Sequence, residues 1–217
     1  VQSKVEIELN AVTDNPLMFL DDEAVISGGN FHGEPMALAF DFLGIACSEI
    51  ADISERRTER MVNAALSNGL TPFLTTQAGV NSGFMIVQYS AASMVSENKV
   101  LAHPASVDSI PSSANQEDMV SMGTTAARKS GWIVQNTFSV LADELLTACQ
   151  AIDIRRMKNS HGQGISPVHQ AIYDLVRSEV AFYEIDREIR PDLEAVDRIV
   201  RDEKLLQIVD EMVPDFN

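Results

Sequence analysis

The chain has 217 residues, 45% of them hydrophobic and 22% charged, which is enough apolar material for a buried core in one large or two small domains and excludes a disordered polymer. Its 32 acidic and 16 basic residues leave a net charge of −16, so phosphate backbones and anionic membranes are repelled and neither nucleic acid nor a membrane is an expected partner. No apolar run approaches the ~20 residues of a spanning helix, and residues 1–10 mix charges with apolar side chains instead of forming a signal-peptide block, so a soluble, non-exported, cytoplasmic protein is expected.

The chain opens on Val1 in mid-pattern, as expected of a fragment, a processed product or one subunit of a split protein. Its first thirty residues read as something other than helix: Pro16–Leu20, Asp21-Asp22 and Ala24–Ile26, closing on Gly28-Gly29, predict a short hairpin. Pro35 suits the first turn of a helix that continues to about Leu66 and stops at Asn68-Gly69. Within it Ala39, Leu43, Ala46, Ile50 and Ile53 step by four and three, the spacing of a bundle seam.

A second helix is predicted after the capping pair Asn81-Ser82 and ends near Leu101, because His103-Pro104 cannot continue it. Residues 104–118 then form a polar, serine-rich loop. A third long helix follows to about Ile152, with Val134, Phe138, Leu141, Leu145, Ala148 and Ile152 as a second seam, and two long seams imply a helical bundle. The composition changes after His161-Gly-Gln-Gly164. Residues 1–157 are therefore expected to be a central helical part with the active-site loops, and 158–217 an acidic, peripheral helical tail. The predicted class is all-α. Cys47 and Cys149 lie far apart in apolar helical stretches, so both are expected as unpaired, mostly buried thiols.

Standard catalytic signatures are missing: no GxGxxG after a strand, no Walker loop, no HExxH and no GxSxG. His32, His103, His161 and His169 are too scattered for a helical metal site, and no metal is expected. Two segments gather polar groups in apolar surroundings. In Gly28–Pro35 the glycines permit close backbone approach, Phe31 offers a flat face, and the helix start favours an anionic group; an ordinary strand-to-helix turn is the alternative. The loop ending in Glu117-Asp118 carries hydroxyls and carboxylates into a helix, where acids also serve simply to complement the dipole.

These residues carry a resemblance. The strings Glu8–Leu17, Gly29–Pro35, Ser54–Arg57, Asn81–Ile86, Ser96–Lys99, Ala105–Pro111 and Asn115–Asp118, in this order over roughly residues 1–157, resemble the C-terminal half of histidine ammonia-lyase, an aromatic amino acid ammonia-lyase. His32, Glu34 and Glu117 favour the histidine branch over the phenylalanine branch.

The resemblance implies a long-helix bundle of the ammonia-lyase and fumarase-like type, assembled as a homotetramer. It implies elimination of ammonia from L-histidine to give urocanate, with a methylidene-imidazolone electrophile made from an Ala-Ser-Gly triplet. This chain has no such triplet: Ser27-Gly28, Ser82-Gly83 and Ser130-Gly131 follow Ile, Asn and Lys. The electrophile and the family's tyrosine base would then belong to a missing N-terminal half, and the chain alone is expected to be inert. By the same resemblance Glu117 is the catalytic carboxylate, which if buried would suit proton traffic. Phe31 is an aromatic beside the substrate that reaches a neighbouring subunit's site, and Gln116 and Asn115 give polar support. Met119 stands where the family has a histidine, which keeps tyrosine or phenylalanine lyases and aminomutases open as alternatives. Two further readings are a non-catalytic helical oligomerisation scaffold and a fumarase-like lyase using a serine base from Ser106, Ser109, Ser112 and Ser113.

Overall fold

A computed structural model describes residues 1–158 and 164–213. Seven helices are present among them: α1 (Gln2–Leu9), α2 (Glu34–Val62), α3 (Met85–Leu101), α4 (Gly123–Lys158), α5 (Pro167–Glu179), α6 (Arg190–Arg201) and α7 (Lys204–Met212). A two-stranded hairpin, β1 (Leu17–Phe19) and β2 (Ala24–Ile26), accompanies them, so the all-α class and the N-terminal hairpin both hold. His161, at the change in composition, lies outside the described residues.

The hairpin pairs Leu17 with Ile26, Met18 with Val25 and Phe19 with Ala24. Gly28 closes it by donating its N–H to Asn15 Oδ1 at 3.0 Å. A Cβ at Gly28 would sit 2.8 Å from the Asp14 carbonyl, so only glycine fits. Ahead of the hairpin the sequence expectation fails, because residues 2–9 are helical. Their charges and apolar residues alternate with period two, yet α1 buries no residue and is stabilised locally. Gln2 donates to Glu6 at 2.8 Å and the Asn10 amide to the Glu6 carbonyl at 2.7 Å.

The chain divides into two compact units, Val1–Glu49 with Glu97–Gln135 and Ile50–Ser96 with Asn136–Asn217; α2, α3 and α4 each contribute a stretch to both. In the first unit α2 and α4 meet through small side chains. Ala37, Ala105 and Ala126 form the buried cluster, with Phe40 and Met122 against it. A Cβ at Gly44 would lie 3.0 Å from Ile133, so the helices pack at glycine distance there.

The second unit holds the larger core. Leu74, Phe84, Val87, Leu146 and Ile154 are joined by Val176, Val180, Tyr183, Val196 and Ile199, so the amphipathic α5 and α6 lay their apolar stripes on it. Phe84 and Tyr183 meet edge to face at 5.7 Å. Gln150, fully buried, donates to the carbonyls of Leu74 and Tyr183 and accepts the Tyr183 N–H, so three backbone groups without a ladder partner are satisfied by one side chain.

The seams are shifted from those predicted. On α2 the buried row is Ala37, Asp41, Gly44, Ala51, Ser54, Glu55, Thr58 and Val62, whereas Ala46, Ile50 and Ile53 are exposed. On α4 it includes Ala126, Ser130, Ile133, Thr137, Val140, Thr147, Ala151 and Ile154, and the expected Val134, Phe138 and Leu141 are only half-buried. Small and hydroxyl-bearing residues allow close backbone approach, so they occupy the contact while bulkier apolar side chains are turned away from it. Neither cysteine is in a disulfide; Cys149 is buried as expected, while Cys47 is half-buried.

Candidate active site

The site lies in the first unit, where the segment after β2 meets the loop before α4. Gly33 adopts a left-handed conformation at φ +80°, and its carbonyl accepts the N–H groups of Met36 and Ala37 at 3.0 and 3.1 Å, capping the start of α2. Phe31 and His32 stand immediately ahead of this cap. Their rings are 4.6 Å apart and tilted by 52°. The His32 carbonyl accepts the Ser121 hydroxyl, which ties the segment to the residues just past Glu117.

On the other side, residues 112 and 117 form an antiparallel bridge: Ser112 N–H donates to the Glu117 carbonyl at 2.9 Å and Glu117 N–H returns the bond at 3.3 Å. The enclosed turn is unusual, since Ser113, Ala114 and Asn115 all have positive φ, at 52°, 55° and 67°. Non-glycine residues held there store strain of order 1 kcal/mol each. The bridge orients Glu117 so that its Oε2 lies 2.8 Å from His32 Nε2.

Of the predicted site residues, Phe31 and Glu117 are thus gathered around His32. Asn115 and Gln116 are exposed in the turn, where Gln116 contributes its backbone N–H to the Ser113 carbonyl at 3.1 Å. The Glu117 side chain is 35% exposed, not buried, and meets His32 through Oε2. Met119 is exposed two residues further on.

The base of the loop is anchored by groups that sequence reasoning missed. Asp41, buried on α2, accepts the Ser106 N–H at 2.7 Å and pairs with Lys129 at 3.2 Å, while Lys129 also donates to the His103 carbonyl. Burial raises the Asp41 pKa, but the Ser106 bond and the Lys129 ammonium outweigh it and hold the carboxyl below its ordinary value. The Ser109 hydroxyl accepts the Val120 N–H at 2.9 Å, so this serine helps to close the loop. His32 as the partner of Glu117 is 85 residues away along the chain, and no local spacing could reveal it.

Among the described residues no three His, Cys, Asp or Glu side chains gather to hold a metal ion. The Ser-Gly pairs do not fit a methylidene-imidazolone precursor either. None follows alanine, and Ser130-Gly131 is locked inside α4.

A family model described as aromatic amino acid lyase matches residues 1–178. Histidine ammonia-lyase 1 of Fusobacterium nucleatum subsp. nucleatum is 57% identical over 213 residues, covering 98% of this chain and 40% of that protein. The crystal structure of histidine ammonia-lyase from Trypanosoma cruzi superposes with a TM-score of 0.87 at 47% identity, covering 96% of this chain and 40% of the other. Tyrosine aminomutase from Streptomyces globisporus gives a TM-score of 0.87 at 37% identity over 97% of this chain and 39% of that one. The chain therefore spans about 40% of the length of the relatives it matches.

Proposed function

The chain belongs to the aromatic amino acid lyase family, and from that premise we propose that it is part of a histidine ammonia-lyase, which eliminates ammonia from L-histidine to give urocanate. The observation that carries the reading is the Glu117 carboxylate, held through Oε2 by His32, whose ring packs on Phe31, with the side chain still 35% exposed. A carboxylate there attracts the cationic amino group or imidazole of the substrate and can accept or return a proton at its free oxygen. Phe31 offers a ring face for the substrate's aromatic group, and Asn115 and Gln116, in the turn that leads into Glu117, are proposed as polar support. The electrophile, methylidene-imidazolone, is assigned to sequence outside these 217 residues, and no step here is routed through it. By itself this chain is then inactive.

The relatives' greater length and the exposed Leu38, Phe42 and Ile45 on α2 support assembly with the rest of the enzyme and with further copies, as a homotetramer. No described helix is long and apolar enough to cross a membrane, and a cytoplasmic enzyme is the setting proposed.

The test is to incubate the complete protein with L-histidine, L-tyrosine and L-phenylalanine and follow ammonia and the ultraviolet absorbance of the unsaturated product. Histidine should be turned over in clear preference. Release of ammonia from none of the three leaves the scaffold reading in place. Release of ammonia chiefly from tyrosine or phenylalanine would favour the corresponding ammonia-lyase, and β-amino acid formation the aminomutase, alternatives that Met119 and the likeness to the Streptomyces globisporus structure keep in view.

A further inference from the structure

His32 and Glu117 come from separate segments, and among the described residues their contact is a side chain to side chain bond that joins Glu117 to the segment just before α2. The two partners are not equally fixed. His32 is held by the Ser121 hydroxyl on its carbonyl, by the Phe31 ring against its own, and by the capping Gly33 that follows it. Glu117 sits at the end of a turn in which Ser113, Ala114 and Asn115 are left-handed, and its backbone is bonded to Ser112. A glutamate side chain has three free torsions, and among the described residues the bond at Oε2 is the one that fixes them.

We propose that His32 is a positioning residue. Its Nε2–H, donated to Oε2, holds the Glu117 carboxylate in one orientation and leaves Oε1 as the oxygen that meets the cationic group of the substrate. This rests on the acid–base role proposed for Glu117. The assignment requires the tautomer protonated at Nε2, with Nδ1 as the acceptor nitrogen. Without the donor the carboxylate rotates among several orientations, and the fraction in the productive one falls.

The experiment uses the complete enzyme and four variants: His32→Leu, His32→Gln, Glu117→Gln and the double variant His32→Leu/Glu117→Gln. His32→Leu should lower kcat by about 10²-fold, the scale of a misplaced catalytic group, with KM little changed. His32→Gln, whose amide can donate to the same oxygen, should recover most of that loss. The double variant should be no slower than Glu117→Gln alone, because the histidine acts only through the carboxylate. If His32→Leu folds poorly, His32→Phe keeps the ring contact with Phe31, lacks the donor, and takes its place. An undiminished kcat in the leucine variant, a loss that glutamine does not restore, or losses that multiply in full in the double variant would each overturn the proposal. Should Glu117→Gln itself leave kcat untouched, the role of Glu117 falls and this proposal with it. Impairment of Glu117→Gln beside a fully active His32→Leu removes the positioning role alone.

Discussion

Asp41 accepts the backbone N–H of Ser106 at 2.7 Å, so a helix that bears none of the proposed site side chains here grips the base of the loop that carries Glu117. The same carboxylate is neutralised by Lys129 at 3.2 Å, and both side chains are largely buried. A buried pair of this kind adds little to stability as a whole but is costly to break on one side.

Asp41→Asn should therefore destabilise the protein by about 3 kcal/mol, the scale for stranding a buried partner. Because the folded-state pKa of Asp41 lies below 3.8, its contribution is complete above that pH and is lost as the pH falls through the folded-state value. Thermal unfolding followed on acidification below about pH 4 should show a drop that is smaller in the variant. Equal acid sensitivity in both proteins would refute the assignment.

Glu117→Gln and Asp118→Asn are matched changes at adjacent positions, one bonded to His32 and the other exposed. The first should lower turnover of the complete enzyme by roughly 10²- to 10⁴-fold, the range for removal of a positioned acid–base group. The second should leave it nearly unchanged. Small and equal effects would remove the acid–base role of Glu117.

Asp143, in the second unit, has its pKa raised to about 7, chiefly by burial, opposed by a bond with Ser90 and reinforced by Asp197. Its neutral form is the one the fold prefers. The sign is opposite to that of Asp41: stability is greatest at acid pH and declines as the pH rises from the unfolded value near 3.8 to about 7, by a few kcal/mol in all. Asp143→Asn should flatten this decline and raise the melting temperature at pH 8. A melting temperature that is lower in the variant at pH 8 would contradict the account.

Cys149 is buried and its thiol is pushed up to about 11, mainly by burial. With little thiolate and no access, it should resist a maleimide reagent until the protein unfolds. Cys47 is half-buried with a pKa also raised by burial, so slow labelling in the folded state is expected there first. Mass spectrometry of the labelled peptides distinguishes the two sites, and prompt native labelling of Cys149 would contradict its burial.

The long helices were legible because apolar periodicity and punctuation agreed: Pro35 marks the start of α2, and His103-Pro104 the end of α3. Their limits were less so. α2 stops at Val62 because Asn63 turns back on itself, its side-chain oxygen accepting the Ala65 N–H at 3.1 Å. α4 runs on to Lys158, where Arg155, Arg156 and Lys158 suit a helix C-terminus. The seams were misplaced because hydropathy marks greasy positions, whereas the closest packing selects small ones such as Ala37, Gly44 and Ala51. At the proposed site, Phe31 and Glu117 were singled out through motif resemblance. Their connection through His32 and the anchoring of the loop by Asp41 and Lys129 depend on chain segments brought together only by folding.

Three successive residues, Ser113, Ala114 and Asn115, hold a backbone conformation that glycine would adopt freely and that they do not favour. The turn persists because the bonds around it, Ser112 to Glu117 and Val120 to Ser109, outweigh its own preference. Such a segment is among the last to lock and the first to let go, well before the helices on either side melt. The proposed acid–base group is therefore seated on strained backbone, and amide exchange at Glu117 should report its release while α2 and α4 remain protected. Activity can fade on heating at a temperature where helical content is still intact.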